Sequence, residues 1–340
     1  MKVKDFAVAL NYVRQFANYN AGVLHEPLKR VRIDAREQLK FECGSFEQGG
    51  NITLPLEPLF QGIGEIEVDV YELSDFANAL SQEAEFKVSL DGGLFVMKSG
   101  RASRKFETYP IQTHRQVTIE GEWHKLPDTF KADIKALEKL KIKGTLVSSE
   151  DLLYYKENSG VSNLFLVRQK LPRFQLAQDF VPKLLSCDPT HIYVDDNRVA
   201  FKNDSRLMTA PLIVSKTPMV NKMLEKTIKP NCPTIKFNAT ELKEACKVLF
   251  SDSVDSNIFP IQISKEGLSC GQGDRTKYAI EVKMSEEAPG IRVSRQALQH
   301  ISDIGFETDG KITLNLSDNK NIVFSQKDRY IYTSCTIFNG

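Results

Sequence analysis

Residues 311–337 read KITLNLSDNKNIVFSQKDRYIYTSCTI, which is a strand, a polar turn, a second strand, another turn around Asp328, and a third strand. Apolar residues alternating with a period of two between turns rich in Asp, Asn and Ser describe an antiparallel meander. The same pattern stands twice earlier in the chain. It reads FKVSLDGGLFVMKSGRASRKFETYPI at 86–111, turning around Gly100, and THIYVDDNRVAFKNDSRLMTAPLI at 190–213, turning around Asp204. The copies lie about 105 to 125 residues apart, the size of a small domain rather than of a solenoid repeat.

Working backwards from each meander extends the repeat. A longer amphipathic helix is expected at Lys4 to Asn18, Pro127 to Leu140 and Ala239 to Phe250, and a shorter one at Ser74 to Gln82, Gln178 to Ser186 and Ser294 to Asp303. Between them run strands: RVRIDA, LKFECGSF and EIEVDVY in the first third, GTLVSS and LLYYKEN in the second, FPIQISKEG, LSCGQG and YAIEVKM in the last. Each third therefore reads β-α-β-β-β twice over, which predicts an α+β chain of three tandem domains at 1–116, 117–228 and 229–340. The stretch TPMVNKMLEKTIKPNCP (217–233) reads as the linker between the second and third.

Composition is that of a globular protein: 340 residues, 41% hydrophobic and 26% charged, with a formal net charge of +1. Near-neutrality removes any global nucleic-acid signature, so such a signal has to be local. No apolar run is long enough for a membrane span or a signal-peptide core, and a cytoplasmic protein is expected. Cys43, Cys187, Cys232, Cys246, Cys270 and Cys335 are scattered without a CxxC pair, which fits reduced, buried thiols and no structural metal.

Catalytic constellations are missing from the sequence. GQGDRT (271–276) lacks the spacings of a phosphate loop and reads as a hairpin turn, and His25, His114, His124, His191 and His300 are isolated. Asp195 and Asp196 sit in a meander turn, where Asp serves turn geometry. Neither an enzyme nor a cofactor is expected.

The longer helices carry the most legible chemistry. Phe130, Ile134 and Leu137 share one face of the second, with Lys131, Lys135 and Lys139 roughly 140° away. Leu242, Ala245, Cys246 and Leu249 of the third face away from Lys243 and Lys247, while the first buries Phe6, Ala9, Leu10 and Val13 and shows Lys4, Asn11, Arg14 and Asn18. Lysines on a solvated helix are commonplace, and recurrence at equivalent places in repeated units is what raises a functional reading.

With these elements in order, the chain resembles the DNA sliding clamps, specifically the three-domain bacterial type. LFVMKSGRASRKF (94–106) is similar to a strand-turn-strand of the first clamp domain. FNATELKEACKVL, VSRQALQHISDI and RYIYTSCTI are similar to the two helices and terminal strand of the last. The length and charge suit a divergent, for instance phage-encoded, version. The resemblance implies a homodimeric closed ring around double-stranded DNA, contacted without regard to sequence, that tethers a DNA polymerase and serves as its processivity factor. It leaves open whether an ATP-driven loader is needed. The residues implied to face DNA are Lys4, Asn11, Arg14, Asn18, Lys131, Lys135, Lys139, Lys243 and Lys247. Lysine suits a surface that must slide, because it meets phosphate as a mobile point charge. The resemblance also implies a pocket for partner peptides at Gly160, Leu164, Pro218, Cys335 and Ile337. Here NSGVSNL (158–164) and the ending TIFNG depart from the family pattern. The competing reading is a repeat-built β-rich structural or assembly protein, for example of a virion, with no DNA-encircling role.

Overall fold

The computed structural model describes the chain except for residues 18–27, 46–47, 112–118, 140–143, 158–162, 216–218, 230, 251–260, 271–275, 287, 295–297, 299–310, 317–320 and 339–340. The first third holds α1 (Val3–Arg14), β1 (Arg30–Ala35), β2 (Leu39–Gly44), β3 (Gly49–Leu54), β4 (Gly64–Asp69), α2 (Val70–Ala79), β5 (Lys87–Asp91), β6 (Leu94–Ser99) and β7 (Ala102–Glu107). The second holds β8 (His124–Lys125), α3 (Phe130–Lys139), β9 (Gly144–Ser149), β10 (Leu152–Glu157), β11 (Asn163–Arg168), β12 (Phe174–Ala177), α4 (Val181–Cys187), β13 (His191–Val194), β14 (Arg198–Lys202) and β15 (Arg206–Pro211). After α5 (Val220–Thr227), the last third holds β16 (Thr234–Asn238), α6 (Ala239–Leu249), β17 (Ile261–Ser264), β18 (Gly267–Cys270), β19 (Thr276–Tyr278), β20 (Lys283–Met284), β21 (Gly290–Val293), β22 (Lys311–Leu316), β23 (Asn321–Gln326) and β24 (Arg329–Phe338). All three meanders form where the alternation places them, as β5-β6-β7, β13-β14-β15 and β22-β23-β24.

By compactness the chain divides into two units, one of 1–131 with 179–213 and one of 132–178 with 214–340. In the first unit an eight-stranded antiparallel sheet runs β4-β1-β2-β3-β15-β14-β13-β8, beside the three-stranded β5-β6-β7. The larger sheet crosses from first-third to second-third strands at β3 and β15, where Asn51 faces Leu207 and Ile52 faces Arg206. In the second unit the corresponding crossing is β11 against β24, with Leu166 facing Tyr330 and Leu164 facing Tyr332.

Strand alternation gives the eight-stranded sheet two unlike faces. Val31, Ile33, Phe41, Ile52, Met208, Phe201 and Ile192 point to one side and are buried there. On the other side Arg32 meets Glu65 and Glu42, and Lys40 reaches Glu42 at 3.6 Å, so the charges of that face neutralise one another. The apolar side is covered by helices. Phe6 of α1 packs against Phe41 and Phe86, with ring centroids 5.6 and 4.9 Å apart. Gly50 has no side chain because Phe16 occupies the space: a Cβ there would overlap its ring.

Two sequence expectations are corrected here. EIEVDVY does not continue as a strand to Tyr71, and α2 begins at Val70 rather than at Ser74. The Asp69 carboxylate accepts from the backbone N–H of Tyr71 and Glu72, both at 2.9 Å, and this cap converts the strand into a helix in a single residue. The stretch read as a linker contains α5, whose Val220 and Leu224 join Val147, Leu152, Tyr154, Leu166 and Val323 in one apolar cluster. The helix expected to run to Asn18 ends at Arg14 with Gln15 as its C-cap, the one expected to run to Leu140 is described as far as Lys139, and most of the expected helix at Ser294 to Asp303 and the GQGDR turn lie outside the described residues.

Candidate nucleic-acid and peptide interfaces

On the apolar side of the first unit, α1 lies beside α2 and α4. Asn11 and Asn78 exchange amide hydrogen bonds at 3.0 Å, Arg14 donates to Ser74 at 2.6 Å and to Asp75 at 2.5 Å, and Gln15 donates to Ser186 at 3.0 Å. Three sequence candidates, Lys4, Asn11 and Arg14, fall in this layer, and each is engaged. Lys4 donates to Glu83 at 2.9 Å, next to Lys2 at 2.6 Å, and the hydrogen bonds from Lys2 and then Lys4 hold the Glu83 carboxyl down at about 2. Arg14 is paired with Asp75 and stacks 4.8 Å from the Tyr71 ring centroid. Asn18 lies outside the described residues. Exposed pairs of this kind are worth little and exchange readily.

The lysine stripe of α3 divides. Lys131 pairs with Asp188 at 2.6 Å, at the mouth of a cleft of about 480 Å3 lined by Lys125, Asp128 and Asn203 among others. Lys135 is exposed, as is Lys247 of α6, and neither has an acidic partner among the described residues. Lys243 is half-buried and engaged, and Lys139 belongs to α3 with its side chain undescribed. The helices share one frame, in which Phe6/Leu10/Val13, Phe130/Ile134/Leu137 and Leu242/Cys246/Leu249 are the buried positions. Counted in that frame, Asn11, Lys135 and Lys247 are the same position of three copies, one polar residue after the middle apolar anchor.

Of the expected peptide-pocket residues, Leu164, Cys335 and Ile337 fall on described strands, β11 and β24. Along β24 exposure alternates: Ile331, Thr333 and Cys335 are buried, while Tyr332 is half-buried and Thr336 exposed. Tyr330 and Tyr332 lie against the α5 cluster. Leu164 pairs in register with Tyr332, but Cys335 pairs with Val293 and Ile337 with Ile291, both partners buried. Cys335 is thus a core side chain, and burial raises its thiol to about 11. The α5-facing positions of the strand are Tyr330 and Tyr332. Gly160 and Pro218 lie outside the described residues.

No family model and no curated protein matches the chain. Solved structures do. A DNA polymerase sliding clamp of Pseudomonas aeruginosa, with ligand, aligns at TM-score 0.75 over 99% of both chains with 14% identity. A putative DNA polymerase III beta subunit of Eubacterium rectale aligns at 0.75 over 99% of this chain and 97% of that one with 12% identity. A DnaN sliding clamp of Bartonella birtlesii bound to griselimycin aligns at 0.75 over 99% and 98% with 14% identity. The chain has the sliding-clamp fold.

Within that fold, two groups went unread in the sequence. Arg206 lies 5.3 Å from the Tyr12 ring centroid and donates to Ser186 O at 2.6 Å, and Lys183 sits 4.6 and 5.4 Å from the ring centroids of Phe180 and Phe16. Burial pushes the Lys183 ammonium down from its ordinary value. Both are cations on the helix-covered side of the sheet, and a clamp-fold domain order gave no reason to look for them on a strand start and a short helix. Among the described residues no group of three metal-ligating side chains converges, and no helix is long and apolar enough to cross a membrane.

Proposed function

We propose that two copies of this chain close head-to-tail into a ring around duplex DNA and act as a polymerase processivity factor. The observation that carries this reading is the pattern of strand edges. After the first helix of each copy comes a three-strand run, and its last strand pairs with the last meander strand of the next copy: β3 with β15, and β11 with β24. The run in the last third ends at β19 and the meander of the first third ends at β7. Among the described residues, each of these pairs with a strand on one side only. Repeating the same join between molecules would satisfy both edges and bring three copies per chain into a six-domain ring.

On this reading the domains are 1–116, 117–228 and 229–340, with the middle one contributing strands to both compact units. The partners are duplex DNA bound without sequence preference, a polymerase, and a loading factor that opens the ring. No catalytic residue is required, and a cytoplasmic setting follows from the task. The alternative of a shell or assembly protein is not favoured, since the solved structures that share the fold over 99% of this chain are sliding clamps.

Two expected results test it. The protein should sediment as a dimer at micromolar concentration and stay bound to nicked circular DNA, yet leave the same DNA within seconds once it is linearised. Equal loss from circle and line would refute encirclement. For the peptide surface, Tyr332→Ala should remove stimulation of the cognate polymerase while leaving dimer mass unchanged, because it removes a half-buried aromatic side chain that lies against the α5 cluster. Full stimulation by that variant would place the partner site elsewhere.

A further inference from the structure

Each copy of the repeat ends in a meander, and in two copies the first meander strand is covered by the strand that leads into the first helix. β22 pairs with β16 along Thr234–Asn238, and β13 pairs with β8 at His191 and Ile192. Under that cover the inward apolar side chains are shut off: Leu314 and Leu316 are 0% and 3% exposed, and Ile192 is 0% exposed. β5 is the corresponding strand of the first copy. Its contact with the chain that leads into α1 is a single bridge, Lys2 to Glu85, just before the strand begins. The Phe60 ring closes the same end, 6.2 Å from that of Phe86. From Lys87 to Asp91, β5 pairs with β6 and, among the described residues, with no strand on its other side.

The tight turn at Gly92-Gly93 fixes which groups that edge offers. In a two-residue hairpin the flanking residues, here Asp91 and Leu94, form a hydrogen-bonded pair, and such pairs recur at every second residue. Ser89 and Lys87 therefore also turn their backbone groups toward β6, and the N–H and C=O of Val88 and Leu90 point outward. The side chains of the same two residues lie on the apolar face, opposite Met97 and Phe95, yet Val88 is half-buried and Leu90 is 42% exposed. On the other face Lys87 stands directly opposite Lys98. Both are exposed, and neither has an acidic partner among the described residues. Like charges at that spacing repel, and an anion shared between them relieves the repulsion. We propose that the β5 edge docks an extended, acidic segment of a partner protein. That segment adds a strand along Lys87–Asp91, sets apolar side chains over Val88 and Leu90, and brings carboxylates within reach of Lys87 and Lys98. Every residue involved belongs to the first unit, so the site does not depend on ring closure.

A fluorescent synthetic peptide of alternating valine and glutamate, as long as an ordinary strand, tests the proposal by anisotropy with the full chain. It should bind saturably, and a valine-lysine peptide should bind at least about tenfold more weakly at low salt. Lys87→Glu with Lys98→Glu should reverse that preference. Leu90→Thr should weaken binding severalfold with the thermal stability of the protein unchanged. Methylating the peptide nitrogens that would face β5 should abolish binding, because an added strand is held by its main chain. No saturable binding of the valine-glutamate peptide would overturn the proposal. So would equal affinity for the two peptides, or binding that survives methylation and is therefore charge attraction alone. Binding left unchanged by the double charge reversal would also overturn it, and would leave the two lysines as guards of the edge against pairing.

Discussion

Asp133→Ala is expected to lower the urea midpoint of the second unit, by the equivalent of about 2–3 kcal/mol, because it leaves Gln169 and the part-buried Arg329 without their acceptor. Asp133 is 1% exposed and receives hydrogen bonds from both Gln169 and Arg329. Around it Gln169 N–H donates to Asp151 O and Arg168 N–H to Asp328 O, each at 2.8 Å, so the carboxylate fastens the helix to the turn that opens β24. Removing the arginine as well should recover most of the loss, since an ion pair replaced by apolar groups of similar volume is close to neutral. The double variant Asp133→Ala, Arg329→Met is thus expected to unfold at a higher urea concentration than Asp133→Ala alone. A single variant within about 0.5 kcal/mol of the unmodified protein, the range of an ordinary surface change, would mean that this carboxylate contributes nothing.

The second large effect concerns DNA rather than folding. Lys135 and Lys247 share one position of the helix frame and are both exposed without acidic partners among the described residues. Reversing both, Lys135→Glu with Lys247→Glu, changes the charge of a symmetric ring by eight units, four from each of two chains. At that level attraction to phosphate turns to repulsion, and retention on nicked circles should fall at least tenfold at about 50 mM salt. The remaining binding should depend less steeply on salt, because fewer counterions are released. Thermal stability should stay within about 0.5 kcal/mol, as exposed helix positions tolerate exchange. Normal processive synthesis from this variant would show that the two lysines face bulk solvent.

Much of the fold was legible because its signals are local. A period of two over β22, β23 and β24, broken by Asp, Asn and Gly at turns, needs no distant contact to be read, and neither does the 4-3 spacing of Phe130, Ile134 and Leu137. Repetition supplied the rest, since three weak copies of one pattern constrain one another. The likeness to sliding clamps was visible in that order of elements, although identity to the solved clamps is only 12–14%.

The site was less legible, for reasons that lie in long-range pairing. Lys4 and Arg14 looked free from the sequence, but their acidic partners stand 79 and 61 residues away on α2 and beyond it. The helix α5 looked like a linker because Pro218 and Pro230 bracket a short lysine-rich run, and only burial of Val220 and Leu224 against strands from two thirds of the chain stabilises it. On β24 composition alone could not assign a face to Cys335: a one-residue choice of register exchanges core and surface, and that choice is made by β11, β21 and β23. By itself, then, the sequence determined the elements, their threefold recurrence and the apolar side of each helix, all properties of neighbouring residues. The tertiary structure alone decided which cations are neutralised, which face of the last strand meets α5, and which arginines clasp a helix, because each of these depends on residues that only folding brings within hydrogen-bonding distance.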